Sequence, residues 1–275
     1  GKPLMDAGRP KLAPPLPRVL LLAVAGATLL SGLWVGLIRL GWAWPLWQPA
    51  LVALHGPLMI GGFLGTVIAL ERAVALGQRW AYAAPLLAAG GGLALISGAP
   101  AWVGALLMTV ASAVLLFILL RIWRMQPALF AVVIVLGAGL WLAGNGLWLA
   151  GHPVPLAVPW WVAFLVLTIA GERLELSRLL RLSQERLLLF AACVVLLCAG
   201  LVLSLVDFAR GVRLVGVSEI GLALWLLRND IAWRRLKAGG QARYMAVCLL
   251  SGYGWLAIGG LLAVVYGGAM AGPYY

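Results

Sequence analysis

Residues 50–72 read ALVALHGPLMIGGFLGTVIALER. Between Ala50 and Leu70 the only ionisable side chain is His55, and the first full charges, Glu71 and Arg72, arrive at the far end. About 20 mainly apolar residues cross the ~30 Å hydrocarbon core of a bilayer as a helix. Apolar and polar residues do not alternate here, which argues against a barrel strand. A helix closes its own backbone hydrogen bonds, which lipid cannot do for it. The segment therefore reads as a transmembrane helix.

Working outward, eight more segments have the same character. The nine expected spans are 18–41, 50–72, 80–97, 102–123, 128–151, 156–173, 187–207, 212–228 and 244–267. The third and eighth are short and rich in glycine or polar residues. Of the 275 residues, 64% are hydrophobic and 10% charged, with a mean hydropathy of +1.05. Soluble domains are closer to half apolar and a quarter charged. The composition excludes a soluble enzyme, a disordered chain and a nucleic-acid-binding domain. The fold class is all-α, a polytopic transmembrane bundle. Residues 1–17 form a polar, Pro-rich N-terminal segment without a cleavable signal, and 18–275 form one membrane domain.

The net charge of +12 is explained by its distribution. With the N-terminus inside, nine spans leave Arg39, Arg210 and Arg213 outside. The inner segments hold Lys2, Arg9, Lys11, Arg18, Arg72, Arg79, Arg121, Arg124, Arg173, Arg178, Arg181, Arg186, Arg228, Arg234, Arg235, Lys237 and Arg243, which makes 17 of the 20 basic residues. This is the positive-inside pattern of a bacterial-type cytoplasmic membrane protein whose inner face attracts anionic lipid. Trp42, Trp44, Trp47, Trp102, Trp148, Trp160 and Trp161 are expected at the outer boundary, and Trp80, Trp123 and Trp233 at the inner one. Nine spans put the C-terminus outside, and further spans are expected after Tyr275.

A period of four spans is visible. Span two ends Ile68-Ala-Leu-Glu71-Arg72 and span six ends Ile169-Ala-Gly-Glu172-Arg173, 101 residues apart. Span five contains Gly137-Ala-Gly-Leu-Trp141-Leu-Ala-Gly144, and span nine contains Gly252-Tyr-Gly-Trp255-Leu-Ala-Ile-Gly259. Both matches fit a parallel four-helix repeat.

His55 is the most informative residue. It lies about five residues into the second span, less than ~10 Å below the outer boundary. Imidazole in hydrocarbon is costly and marks a ligand, a proton path or a polar contact. Met59 follows one turn on, on the same face, and Gly61, Gly62 and Gly65 leave room for a flat cofactor or a close helix. The plainer alternative is a histidine bonded to a carbonyl, with glycines that only pack helices.

The motif His55-Gly-x-x-Met59-Ile60 resembles the second helix of haem–copper oxidase subunit I. The continuation Gly62-Phe-Leu-Gly65 and the following Trp80-Ala-Tyr-Ala-Ala-Pro85 resemble the oxidase-related NnrS-like membrane proteins. The resemblance rests on residues 55–85. It implies twelve helices in arcs of four, which agrees with the four-span period. It also implies haem held by His55 as an axial metal ligand, with Met59 and Gly62 beside the cofactor, copper as a second metal, and a role in redox or nitric oxide stress. The chain departs from that pattern in two ways. The sixth span lacks the histidine that gives oxidases a copper ligand, and the opposing haem ligand would fall in a tenth span. An oxygen-reducing binuclear centre is therefore not expected.

Other residues carry weaker signals. His152, in the loop Gly151-His-Pro-Val-Pro155, is a solvated histidine or a surface copper ligand. Glu71-Arg72 and Glu172-Arg173 are interfacial anchors, or reciprocal ion pairs of Glu71 with Arg173 and Glu172 with Arg72 that join the two arcs. Glu175, Arg178, Arg181, Glu185 and Arg186 read as a charged helix extension. Glu219 is the deepest carboxylate, either a proton relay or a hydrogen-bonded packing residue. Asn145 reads as a helix–helix hydrogen bond. Cys193, Cys198 and Cys248 sit in apolar stretches and act as small hydrophobes. No phosphate loop, zinc motif or nucleophile–base pair is present, so no catalytic residue is assigned. Three functions remain: a haem-binding redox or nitric oxide stress protein, a transporter or channel using an intramembrane carboxylate, and a structural subunit of a larger complex. Expected partners are the lipid bilayer, other membrane subunits or a further C-terminal helical segment, and no nucleic acid.

Overall fold

A computed structural model describes residues 15–177 and 182–267, and no strand occurs among them. The helices are α1 (Pro15–Arg39), α2 (Thr66–Leu76), α3 (Ala83–Ile96), α4 (Ala101–Met125), α5 (Leu129–Leu149), α6 (Val154–Ser177), α7 (Gln184–Ser204), α8 (Phe208–Asn229), the single turn α9 (Ala232–Arg235) and α10 (Gly240–Tyr266). Each of the nine expected segments contains helix. Lys2, Arg9, Lys11, Arg178 and Arg181 lie outside the described residues.

Among the described residues, seven stretches are long and apolar enough to cross a membrane: Leu16–Arg39, Pro57–Leu76, Ala101–Met125, Leu129–Leu149, Val154–Ser177, Gln184–Ser204 and Gly240–Tyr266. Two expected spans are missing from this group for different reasons. The 14 residues of α3 rise only about 21 Å, short of the ~30 Å core. α8 is long enough at 22 residues. Its charges Arg210, Arg213, Glu219 and Arg228 are spaced so that every 18-residue stretch holds three of them.

The second segment is not one regular helix. A short 3-10 turn, Pro49–Leu54, leads through His55 into a π-helical stretch, Pro57–Gly65, and then α2. Pro57 brings no N–H to the ladder, and the wider turns begin there. Left-handed Gly77 (φ 70°) closes α2, its N–H bonded to Ala73 O at 3.1 Å, a conformation that a side chain disfavours.

The contacts divide the chain into two compact units, with the division inside α5. The first comprises residues 1–127 and 141–154, and small residues set its packing. Gly62 of the π stretch and Gly92 of α3 face each other so closely that a Cβ on Gly62 would lie 3.2 Å from Gly92 Cα, and Thr28 of α1 covers both. The Gly90–Gly92 run is thus a helix-crossing surface. Asn145 on the second half of α5 donates from Nδ2 to Met108 O of α4 at 3.1 Å, in a buried setting. Trp148, expected at a membrane boundary, is buried in this unit.

The second unit comprises 128–140 and 155–275. The first half of α5 lies on α6, where a Cβ on Gly137 would meet Leu167 at 3.2 Å. α7 and α8 are joined by Ser218 Oγ donating to Cys193 O (2.7 Å) and by Trp225 Nε1 donating to Arg186 O (2.7 Å). The Trp225 ring rests on Phe190 with centroids 4.8 Å apart. Asp207 caps α8 by accepting from Arg210 N at 3.0 Å, the usual work of an N-terminal aspartate. α8 and α10 meet through Gly216 and Gly260, each too close to the other helix for a side chain. Trp160 and Trp161 of α6 are buried.

Candidate functional site

In the first unit, the end of the 3-10 turn presents His55, which is half-buried. Its Nδ1 is 2.7 Å from Gly32 O of α1. The ring also covers Gly36, where a Cβ would lie 2.8 Å from Cε1. Met59 covers Gly32 in the same way, with Sδ 2.7 Å from the place a Cβ would take. His55 and Met59 thus both lie on the glycine face of α1. The carbonyl bond foreseen as the plainer alternative is present, and it orients the ring with Nε2 left for another partner.

The room expected over the three glycines is filled by protein. Met108 of α4 occupies the space at Gly61, Thr28 and Gly92 occupy it at Gly62, and Trp141 of α5 occupies it at Gly65. The described residues therefore fit one imidazole ligand and do not fit an enclosed seat for a macrocycle at Gly62. No group of three His, Cys, Asp or Glu side chains that could hold a metal ion occurs among them. His152 is exposed in its loop. Arg72 lies 3.9 Å from Glu71 on the same helix, with the Glu71 side chain well exposed.

The second unit holds a buried polar cluster that sequence reading missed. Asp230 ends α8 with its side chain 0% exposed. Its Oδ1 accepts from Ala232 N at 2.8 Å, and its Oδ2 accepts from Tyr253 OH of α10. Arg173 of α6 places Nε 3.3 Å from the same Oδ2, with 14% of its side chain exposed. One carboxylate thus ties α6, the end of α8 and α10 together. Arg173 had been matched in sequence only to Glu71. The available signal was that Asp230 is the single acid among the basic residues of 228–243.

Glu219 differs from Asp230. It is 7% exposed at the middle of α8, and no hydrogen bond or ion pair reaches it from any described residue. Eleven residues separate it from Asp230, about 16 Å along the helix. Beyond Leu226 of α8, an apolar groove of about 470 Å³ opens between α6 and α10, walled by Val162, Val166 and Ile169 on one side and Leu249 and Leu256 on the other.

Several helices able to cross a bilayer and buried ionisable groups within apolar helices define the class, a polytopic helical membrane protein. Residues 18–275 match the family model described as Domain of unknown function (DUF8744), and the chain belongs to that family. No curated protein and no solved structure matches the chain.

Proposed function

We propose that this protein passes protons across a bacterial-type cytoplasmic membrane, with Glu219 as the group that takes up and releases them. In this reading the N-terminus is inside, α3 and α8 cross together with the seven longer stretches, and the nine spans follow a parallel four-helix repeat. The observation that carries it is the contrast on α8. Asp230 is bound by three partners, whereas Glu219 is buried among the described residues with none. Ionisable groups inside a membrane segment are expensive and serve substrate or proton pathways by default. A carboxyl with no fixed partner can exchange a proton without breaking a protein contact. The test is a proton-flux assay in proteoliposomes with an internal pH dye and a potassium diffusion potential. Wild-type protein is expected to move protons, and Glu219→Gln to lose at least about tenfold of the rate, a barrier increase near 1.4 kcal/mol. Equal rates, or no flux by wild type, would end this reading.

A second reading has its own support. The 2.7 Å contact between His55 Nδ1 and Gly32 O is the kind of backbone hydrogen bond that orients a metal-ligating imidazole. On this reading the chain is a haem-binding protein like the NnrS and oxidase subunit I group, acting in redox or nitric oxide stress. His55 would hold the haem iron through one imidazole nitrogen, and any further haem or copper ligand would come from groups beyond those described. A bound haem would supply one-electron chemistry or nitric oxide binding, and Gly32 would keep the imidazole from turning. The reduced-minus-oxidised visible spectrum should then show haem bands that His55→Ala removes. A flat spectrum from folded wild type rules it out.

A further inference from the structure

The groove of the second unit is apolar along its length and charged at one end. On α6 the row Val162, Val166, Ile169 continues one turn on to Arg173, and on α8 Leu226 is followed one turn on by Asp230. The apolar walls therefore give way to the Arg173–Asp230 pair. Asp230 also opens the connection from α8 to α10. Residues 228–243 carry Arg228, Arg234, Arg235, Lys237 and Arg243, all exposed. The only acid in that stretch is Asp230, and its carboxylate is already held by Arg173, Tyr253 and the Ala232 amide. The five cations of this stretch outnumber Glu172 and Glu175, the acids beside Arg173 at the same end of α6. Gly252 lines the groove on the α10 side and faces open space, where a Cβ would meet nothing within 4 Å.

We infer that this groove is a binding site for one anionic phospholipid of the surrounding bilayer, with an acyl chain between α6 and α10 and the phosphate among the cations of 228–243. An apolar slot that ends on an ion pair continuous with a predominantly basic stretch matches the two halves of such a lipid. An acyl chain gains nothing from leaving other chains, so the selectivity comes from the phosphate, and basic clusters at the membrane surface attract anionic headgroups. The groove then fixes where that lipid sits and holds it in a one-to-one complex. This site does not depend on the proton-flux reading, and Glu219→Gln should leave it unchanged.

The test is native mass spectrometry of the full chain released from detergent after incubation with phosphatidylglycerol or phosphatidylcholine of identical chains. Wild type is expected to retain one phosphatidylglycerol with about tenfold preference, on the scale of a single favourable charge contact. Gly252→Leu fills the slot and should abolish retention with the melting temperature unchanged. Combined Arg234→Gln, Arg235→Gln and Lys237→Gln should remove the preference between the two lipids. Should Gly252→Leu fail to fold, Gly252→Ala and the charge variant carry the test, with retention reduced in the first and selectivity lost in the second. Equal retention of both lipids by wild type overturns the inference. So does wild-type retention in folded Gly252→Leu, which would mean diffuse surface attraction. Displacement of the lipid by millimolar inorganic phosphate also overturns it, because the site would then read a free anion.

Discussion

Arg173→Met is expected to destabilise the second unit by about 3–5 kcal/mol, the usual cost of stranding one member of a buried ion pair. Asp230 has no exposed side-chain surface, so water cannot replace the lost guanidinium without opening the packing around it. Asp230→Leu should cost a similar amount by stranding Arg173, whose side chain is 14% exposed. The double variant Arg173→Met with Asp230→Leu should recover much of the loss, because no charge is left without its partner. Tyr253→Phe removes one hydrogen bond to a charged acceptor and should cost about 1.5–3 kcal/mol. Thermal unfolding in mild detergent measures all four. Strictly additive losses in the double variant would contradict a coupled pair.

Trp141→Ala should produce the largest loss in the first unit, about 3 kcal/mol. Trp141 is fully buried, and its ring fills the space over Gly65 of the π stretch. A buried tryptophan removed to alanine costs about 3–5 kcal/mol in soluble cores. The lower end applies here because lipid, unlike water, also solvates an apolar ring, so packing is the main loss. Unfolding midpoints of wild type and Trp141→Ala in detergent check the value. A change below about 0.5 kcal/mol, the scale of an unremarkable surface substitution, would mean the ring is not wedged.

The helices were legible because hydrophobic length is a local property. The third and eighth segments were read as short and rich in glycine or polar residues, and they are the two that fall outside the seven long apolar stretches. Asn145 was legible as an interhelix hydrogen bond because an amide in an apolar helix has few other uses. His55 was legible as a residue with a partner, but the choice of Gly32 O depends on which face of α1 lies against it. The inward packing of Trp148, Trp160 and Trp161 was not legible, because a place near a helix end does not say which face of the helix is covered. The cluster of Arg173, Asp230 and Tyr253 was hidden because its members are 57 and 23 residues apart and meet only when three helices pack. The glycines of 61–65 carried an ambiguous message: the same absence of a side chain admits a cofactor or a neighbour, and here Met108, Thr28, Gly92 and Trp141 take the space.

The π-helical passage between Pro57 and Gly65 also bears on how this chain can change over generations. Wide turns hold one more residue than α-turns of the same kind, so this passage carries slack in its residue count. An in-frame loss of one codon could be absorbed there by tightening toward α geometry. A similar loss inside α4 has no such outlet and turns everything after it by about 100°. Lineages that vary in length within this segment should therefore keep the helix on either side pointing the same way, while those altered within the regular helices should not survive.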